Sequence, residues 1–185
     1  MRQHALLPLV AVAVAAGIAG LWALGTAAQP APTYQGDQLG MESGETPEVY
    51  GARAESSISE DVGETGPVWA LVTFSGALSP DEAATVLEPA DRVSAVVFPD
   101  AAARPIPEPV AGEGRADVIV REAGRLHVAT GERNGEPVGA VVRDEPAVLR
   151  EIAARGDVFA VEALPDDARW GSFGISPVTP VRPGR

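Results

Sequence analysis

The sequence contains no cysteine and no lysine. Its 14 basic residues are all arginine and are outnumbered by 26 acidic residues, which gives a net charge of −12. Without cysteine the chain has no disulfides, no thiolate chemistry and no cysteine-ligated metal. Its negative charge disfavours binding to nucleic acid. We therefore expect no nucleic-acid function and a domain stabilised by packing alone. The use of arginine without any lysine is typical of a high-GC bacterial genome.

Side chains that carry catalysis are also scarce. Outside the N-terminal apolar segment the only histidine is His127, which has no cysteine or second histidine to work with. The carboxylate pairs Asp81/Glu82 and Asp144/Glu145 fall at predicted helix starts, where negative charge offsets the helix dipole. The sequence thus predicts a protein that is not an enzyme, with no catalytic residue, no cofactor and no metal site.

The first 28 residues contain the longest apolar run of the chain. Residues 5–24 carry no charge, and a helix of that length rises about 30 Å, the thickness of a bilayer core. We predict a transmembrane signal-anchor over residues 1–28. Arg2 before the run and the acidic chain after it predict a cytoplasmic N terminus and an extracytoplasmic C-terminal domain in the cell membrane. Alternatively, the small residues that end at Ala28 form a signal-peptide cleavage site, and the protein is secreted.

Residues 29–66 are polar and carry eight acidic residues against the single Arg53. Such a composition cannot bury enough apolar surface to offset the ordering entropy. It predicts a disordered acidic stalk. Among its few apolar side chains are Tyr34, Tyr50 and Ile58, which either dock on the domain or on a partner or, as is more usual in a linker, remain solvated.

A strand, a helix and a second strand follow the stalk. Val68–Phe74 is short, β-branched and aromatic, which favours a strand. Ser79 and Glu82 have the spacing of a capping box around Pro80, and Pro89 ends the predicted helix. Residues 93–98 predict the second strand. The first half of the domain is therefore a β-α-β unit.

The middle of the domain predicts a loop and a hairpin. Residues 99–114 carry four prolines, which is typical of an irregular surface loop. Residues 117–121 and 126–130 flank Gly124, and this pattern predicts a β-hairpin. A strand is predicted next, over residues 138–143.

The second half of the domain repeats the first pattern. Asp144 is a candidate helix cap before Pro146, Gly156 is a candidate helix terminator, and residues 157–163 predict a closing strand. Two β-α-β halves indicate an internal duplication. Over residues 67–167 we therefore predict an α+β fold, a ferredoxin-like split β-α-β sandwich with an extra central hairpin.

The second half also resembles a known family. Residues 144–149 (DEPAVL) followed by residues 156–162 (GDVFAVE) are similar to the propeptide and inhibitor family of subtilisin-like proteases. Those small ferredoxin-like domains often end in a helix followed by a strand that reads roughly D-V-x-x-V-E. The resemblance implies the same fold, and it implies an inhibitor or folding assistant of an exported subtilisin-like protease.

The C-terminal tail, residues 168–185, begins with three large apolar side chains, Trp170, Phe173 and Ile175. Large aromatic groups dominate burial in small domains, so one interpretation is that they fold back over the sheet. The other is that they form a partner-binding strip, because tryptophan is a frequent interface anchor. We predict a membrane-anchored extracytoplasmic protein-interaction module, accessory to an envelope or membrane complex. It contacts the membrane through residues 5–24 and binds a protein partner.

Overall fold

The computed structural model describes residues 37–59, 66–99, 101–131 and 135–176. Three features discussed above lie outside these ranges: the predicted membrane segment (residues 5–24), the cleavage position at Ala28, and the side chain of Tyr34. Within them, no helix combines the length and the apolar character needed to cross a membrane.

The fold is α+β, and the described residues form seven strands and four helices. The strands are β1 (Gln38–Gly40), β2 (Val68–Phe74), β3 (Arg92–Val97), β4 (Arg104–Pro105), β5 (Gly139–Asp144), β6 (Val158–Ala163) and β7 (Gly174–Ser176). The helices are α1 (Pro47–Ser57), α2 (Pro80–Val86), α3 (Arg115–Thr130) and α4 (Pro146–Ala153).

The main sheet has five strands in the order β4-β3-β5-β2-β6, and every neighbouring pair is antiparallel. Because β2 and β3 both pair with β5, they run parallel to each other with one strand between them. The same holds for β5 and β6 on either side of β2. The two predicted β-α-β units, β2-α2-β3 and β5-α4-β6, are therefore present and interleaved in one sheet.

One face of this sheet packs against helices. The side chains of Ala70, Val72 and Phe74 on β2 are buried in a core that α2, α3 and α4 also enter. The capping box predicted before α2 is confirmed, since Ser79 N–H donates to the Glu82 carboxylate (2.8 Å) and Glu82 N–H donates to Ser79 Oγ (3.3 Å). The capping signal in the sequence thus coincides with the observed start of α2, and the helix that begins there contributes to this core.

The opposite face is covered by the two ends of the described chain. β1 and β7 form a parallel two-stranded ribbon in which Leu39 pairs with Ile175. Leu39 and Phe173 are buried against Leu71 and Val141 of the main sheet. This second core explains why both faces of β2 are apolar.

The predicted central hairpin is wrong, because residues 115–130 form the helix α3. Gly124, which in the sequence suggested a turn, is an exposed residue inside this helix. The buried side chains Val118, Ile119 and Leu126 share one helix face with Glu122, a 3.6-residue period that the glycine obscured. The helix ends at Gly131, whose φ of 77° is the left-handed conformation of a C-terminal cap.

The predicted disorder of the stalk is wrong for residues 37–59, which form β1 and α1. Tyr50 and Ile58 are buried rather than solvated. α1 begins at the cap Thr46 with Pro47 in its first turn and packs along β6. The acidic composition gave no sign of this helix, because only a few apolar side chains on one side of α1 contact the rest of the domain.

Asp144 is not the cap of α4, as was predicted. The N-cap is Glu145, which makes no side-chain capping bond. Asp144 is instead buried at the end of β5 and accepts hydrogen bonds from the N–H groups of Asp91 (2.6 Å) and Glu145 (2.9 Å). Its carboxylate therefore ties the start of β3 to the start of α4.

Candidate partner-binding surface

The structure separates the three tail residues that the sequence singled out. Phe173 is buried on the sheet, Ile175 is half-buried in β7, and Trp170 remains 45 % exposed. Gly171 lies between Trp170 and Phe173 with a φ of 86°, and this left-handed conformation reverses the chain there. The tail therefore folds back over the sheet, and of the three residues it leaves Trp170 as the accessible one.

Trp170 lies on a cluster of aromatic rings. Its ring centroid is 5.0 Å from that of Trp69 and 5.9 Å from that of Phe173. Trp69 is half-buried on β2 and lies 5.9 Å from Phe173. These distances and the tilted geometries are those of favourable aromatic pairs, so the exposed indole of Trp170 is held on a rigid base.

Two arginines continue this surface across the sheet. Trp69 pairs with Arg143 on β5, and Arg143 pairs with Arg92 on β3. The Arg143 guanidinium lies 5.9 Å from the Trp69 ring centroid. Both arginines are exposed, and in the described part of the chain neither forms an ion pair. We call Trp69, Trp170, Phe173, Arg143 and Arg92 the aromatic–arginine surface.

The charge of this surface is opposite to that of the chain. Two positive side chains directly across a strand pair repel each other, and here they do so in a protein with a net charge of −12. A carboxylate placed between Arg92 and Arg143 removes that repulsion, and the indole of Trp170 offers an apolar contact beside it. The arrangement suits a ligand that combines negative charge with an apolar group.

Sequence reasoning did not identify Trp69, Arg92 or Arg143. The sequence places Trp69 and Arg143 in predicted strands and Arg92 just before one, and the usable signal is the alternation along the strands. Trp69 is out of phase with Ala70 and Val72, which face the helices, so it belongs to the other face. The register that brings the three side chains side by side depends on strand order, which no local pattern shows.

A second polar centre joins α1 to the edge of the sheet. The Glu162 carboxylate on β6 is buried, accepts the N–H of Gly40 (2.6 Å) and is bound by Arg53 from α1. Arg53 also contacts Glu45 (2.9 Å) and donates to the Gly40 carbonyl (3.0 Å). We call Glu162, Arg53, Glu45 and Gly40 the Glu162 clamp.

The electrostatics of the Glu162 clamp follow from its burial. Desolvation raises the pKa of Glu162 above its ordinary value, while the Gly40 N–H and Arg53 oppose that rise. Burial likewise raises the pKa of Tyr50, whose hydroxyl lies 3.4 Å from Thr73 Oγ1. The hydrogen bond from Arg53 lowers the pKa of Glu45. These groups hold β1 and α1 on the sheet and face one another rather than a cleft, so their arrangement is structural.

Other candidate chemistry stays dispersed. His127 lies in the last turn of α3 instead of in a strand. Glu122 is buried on the same helix and pairs with Arg104 (2.8 Å) and Arg125 (3.0 Å), which ties β4 to α3. Within the described ranges, no group of three or more histidine, aspartate or glutamate side chains is arranged to hold a metal ion.

No protein-family model matches this chain, and no curated protein or solved structure is significantly similar to it.

Proposed function

We propose that this protein is a non-enzymatic interaction module that binds an acidic segment of a partner protein through the aromatic–arginine surface. The observation that carries the proposal is the exposed Trp170 packed against Trp69 beside two arginines that form no ion pair with any described residue. Tryptophan and arginine are the residue types most enriched among interface residues that dominate binding energy. An acidic ligand is favoured because it neutralises Arg92 and Arg143.

The test is site-specific photocrosslinking in native membranes. A photoreactive residue at Ser172, which is exposed next to Trp170, should capture one protein in stoichiometric amount. The matched control position is Val128, 86 % exposed on α3. Trp170→Ala should lower the yield about tenfold or more, since loss of an anchor of this kind costs about 2 kcal/mol, and Val110→Ala at another exposed apolar position should not. The same species from both photoreactive positions, or an unchanged yield with Trp170→Ala, would refute the proposal.

We propose that the protein is located in the cell membrane, with residues 5–24 as a single-pass anchor and the domain on the extracytoplasmic side. Its support is the uncharged run of residues 5–24. The intact mass of the mature chain extracted from membranes tests it. A mass that lacks residues 1–28 would instead identify a secreted protein.

The sheet topology favours a second candidate function. We infer a ferredoxin-like sandwich in which β3-β5-β2-β6 is the four-stranded sheet, α3 is an insertion, and β1, α1 and β7 are extensions. Together with the resemblance of residues 144–162 to protease propeptides, this supports an inhibitor or folding assistant of a subtilisin-like protease. The full chain should then slow such proteases at submicromolar concentration, and cleavage of the chain without inhibition across a panel would remove this candidate.

A further inference from the structure

Three strands place the groups of the aromatic–arginine surface in one row. Arg92 on β3 pairs with Arg143 on β5, and Arg143 pairs with Trp69 on β2. Neighbouring strands lie about 4.8 Å apart. The row therefore crosses the strands, with the two arginines at one end and the aromatic rings at the other.

Both guanidinium groups of this row are positioned by uncharged neighbours. Arg92 Nε donates to Ser94 Oγ (3.2 Å), and the Arg143 guanidinium lies 5.9 Å from the Trp69 ring centroid. Neither contact neutralises the positive charge. The two guanidinium groups are therefore arranged for an anion before any ligand binds.

Two acidic residues beside the arginines are engaged by backbone N–H groups. Asp144 is buried and accepts two such hydrogen bonds, and Glu108 accepts the N–H of Val93 (3.2 Å). No carboxylate of the described residues is within ion-pair distance of Arg92 or Arg143. The arginine end of the row is thus open to a carboxylate from a ligand.

The other side of Trp69 has the opposite charge. Leu164, which follows β6, donates its N–H to the Trp69 carbonyl (2.8 Å). On the turn that comes next, the exposed Asp166 and Asp167 outnumber the exposed Arg169. Because β5 and β6 flank β2 on opposite sides, an anion near Trp69 is favoured on the β5 side.

The distances along the row determine the spacing of a ligand's side chains. The Trp170 ring centroid lies 5.0 Å from that of Trp69, which lies 5.9 Å from the Arg143 guanidinium. In an extended chain alternate side chains share a face and are about 7 Å apart, whereas side chains four positions apart are separated by about 13 Å. The longer separation exceeds what the two measured distances allow, so alternate positions fit.

We propose that the aromatic–arginine surface binds an extended segment in which an apolar residue and an acidic residue occupy alternate positions, in either order. This inference rests on the proposed function and adds the motif by which the partner is recognised. The apolar side chain contacts Trp170, the carboxylate lies between Arg143 and Arg92, and the side chain between them faces solvent. The segment crosses the strands instead of extending the sheet.

The test uses the full chain with the photoreactive residue at Ser172 and fluorescein-labelled decapeptides that contain one leucine and one aspartate in a glycine–serine background. The aspartate is placed one, two or four positions from the leucine, so the peptides share their composition and net charge. Irreversible crosslinking captures weakly bound peptides. The peptide with alternate positions should give about fivefold more product than the other two, the effect of one exposed ion pair.

Arginine variants show whether the two guanidinium groups cause this preference. The double variant Arg92→Gln/Arg143→Gln should lose it, and should still fold because it removes two like charges that face each other across a strand pair. The control is Arg155→Gln, at an arginine that donates to the Thr85 carbonyl of α2 (2.7 Å), and it should keep the preference. Equal yields from the three spacings, including no product from any, or a preference that survives in the double variant, would overturn the motif. If native membranes then still yield a partner that depends on Trp170, the proposed function stands without it.

Discussion

Replacing Arg53 by Met should destabilise the protein strongly at neutral pH and less at acidic pH. The Glu162 side chain is 5 % exposed and would lose its cationic partner while keeping the Gly40 N–H. Removing one partner of a buried pair costs about 3–5 kcal/mol, and exposed pairs are worth far less. Because the Arg53 side chain is 35 % exposed, we expect a loss of about 2–3 kcal/mol at pH 7.

The sign of the pH dependence comes from Glu162. Burial raises its pKa in the folded state, so between the unfolded and the folded pKa the folded protein holds a proton that the unfolded chain has released. Loss of Arg53 raises this pKa further, and the variant is then penalised above its folded pKa by the cost of a buried, unpaired carboxylate. The penalty shrinks as the pH falls towards the unfolded value of about 4.3.

Thermal unfolding followed by circular dichroism measures this effect. For a chain of this size, 2–3 kcal/mol corresponds to a decrease in melting temperature of about 4–12 °C at pH 7. The double variant Arg53→Met/Glu162→Gln should recover much of the loss, because it removes the charge that was left unpaired. An equal decrease at pH 4.5 and pH 7, or no recovery in the double variant, would show that the clamp does not act through the charge of Glu162.

Two glycine substitutions test the fold itself. Gly124→Ala should raise the free energy of unfolding by about 0.5–1 kcal/mol, since alanine is the better helix former and its Cβ meets nothing within 4 Å. Denaturant titration measures this gain. It would show no gain if residues 117–130 formed the hairpin that the sequence suggested. Gly139→Ala should destabilise the protein, because its Cβ would lie 2.6 Å from the Val72 carbonyl oxygen, whereas Gly156→Ala meets no atom within 4 Å and serves as the control. Equal midpoints for Gly139→Ala and Gly156→Ala would contradict the pairing of β2 with β5.

Signals that lie close together in the sequence were enough to locate the four long strands and two of the helices. The β-branched run at 68–74 and the Ser79–Glu82 capping box correspond directly to β2 and the start of α2. The α+β class follows from the alternation of these elements. At α3 two local signals disagreed, and the isolated Gly124 was given more weight than the spacing of Val118 and Leu126. A helix packed on a core tolerates one exposed glycine at a cost of about 1 kcal/mol, so the period was the better guide.

Most residues of the aromatic–arginine surface could not be identified from the sequence. Trp170 could be selected because it is a large apolar residue in a polar tail, but its neighbours Trp69, Arg143 and Arg92 come from three strands that are distant in sequence. α1 was missed for a related reason, since Arg53 and Glu162 are 109 residues apart. Contacts of this kind decide whether an acidic segment stays solvated or docks, and composition does not report them.

The Glu162 clamp supports the aromatic–arginine surface. Through Gly40 it fixes β1, whose Leu39 packs with Phe173 beneath that surface. Through Arg53 it fixes α1, which packs along β6. Weakening the clamp should therefore loosen the aromatic–arginine surface in a protein that is still folded. At 10 °C we expect Arg53→Met to reduce the crosslinking yield from position 172, while Arg155→Gln leaves it unchanged. An unchanged yield with Arg53→Met would show that β1 is held by its pairing with β7 alone.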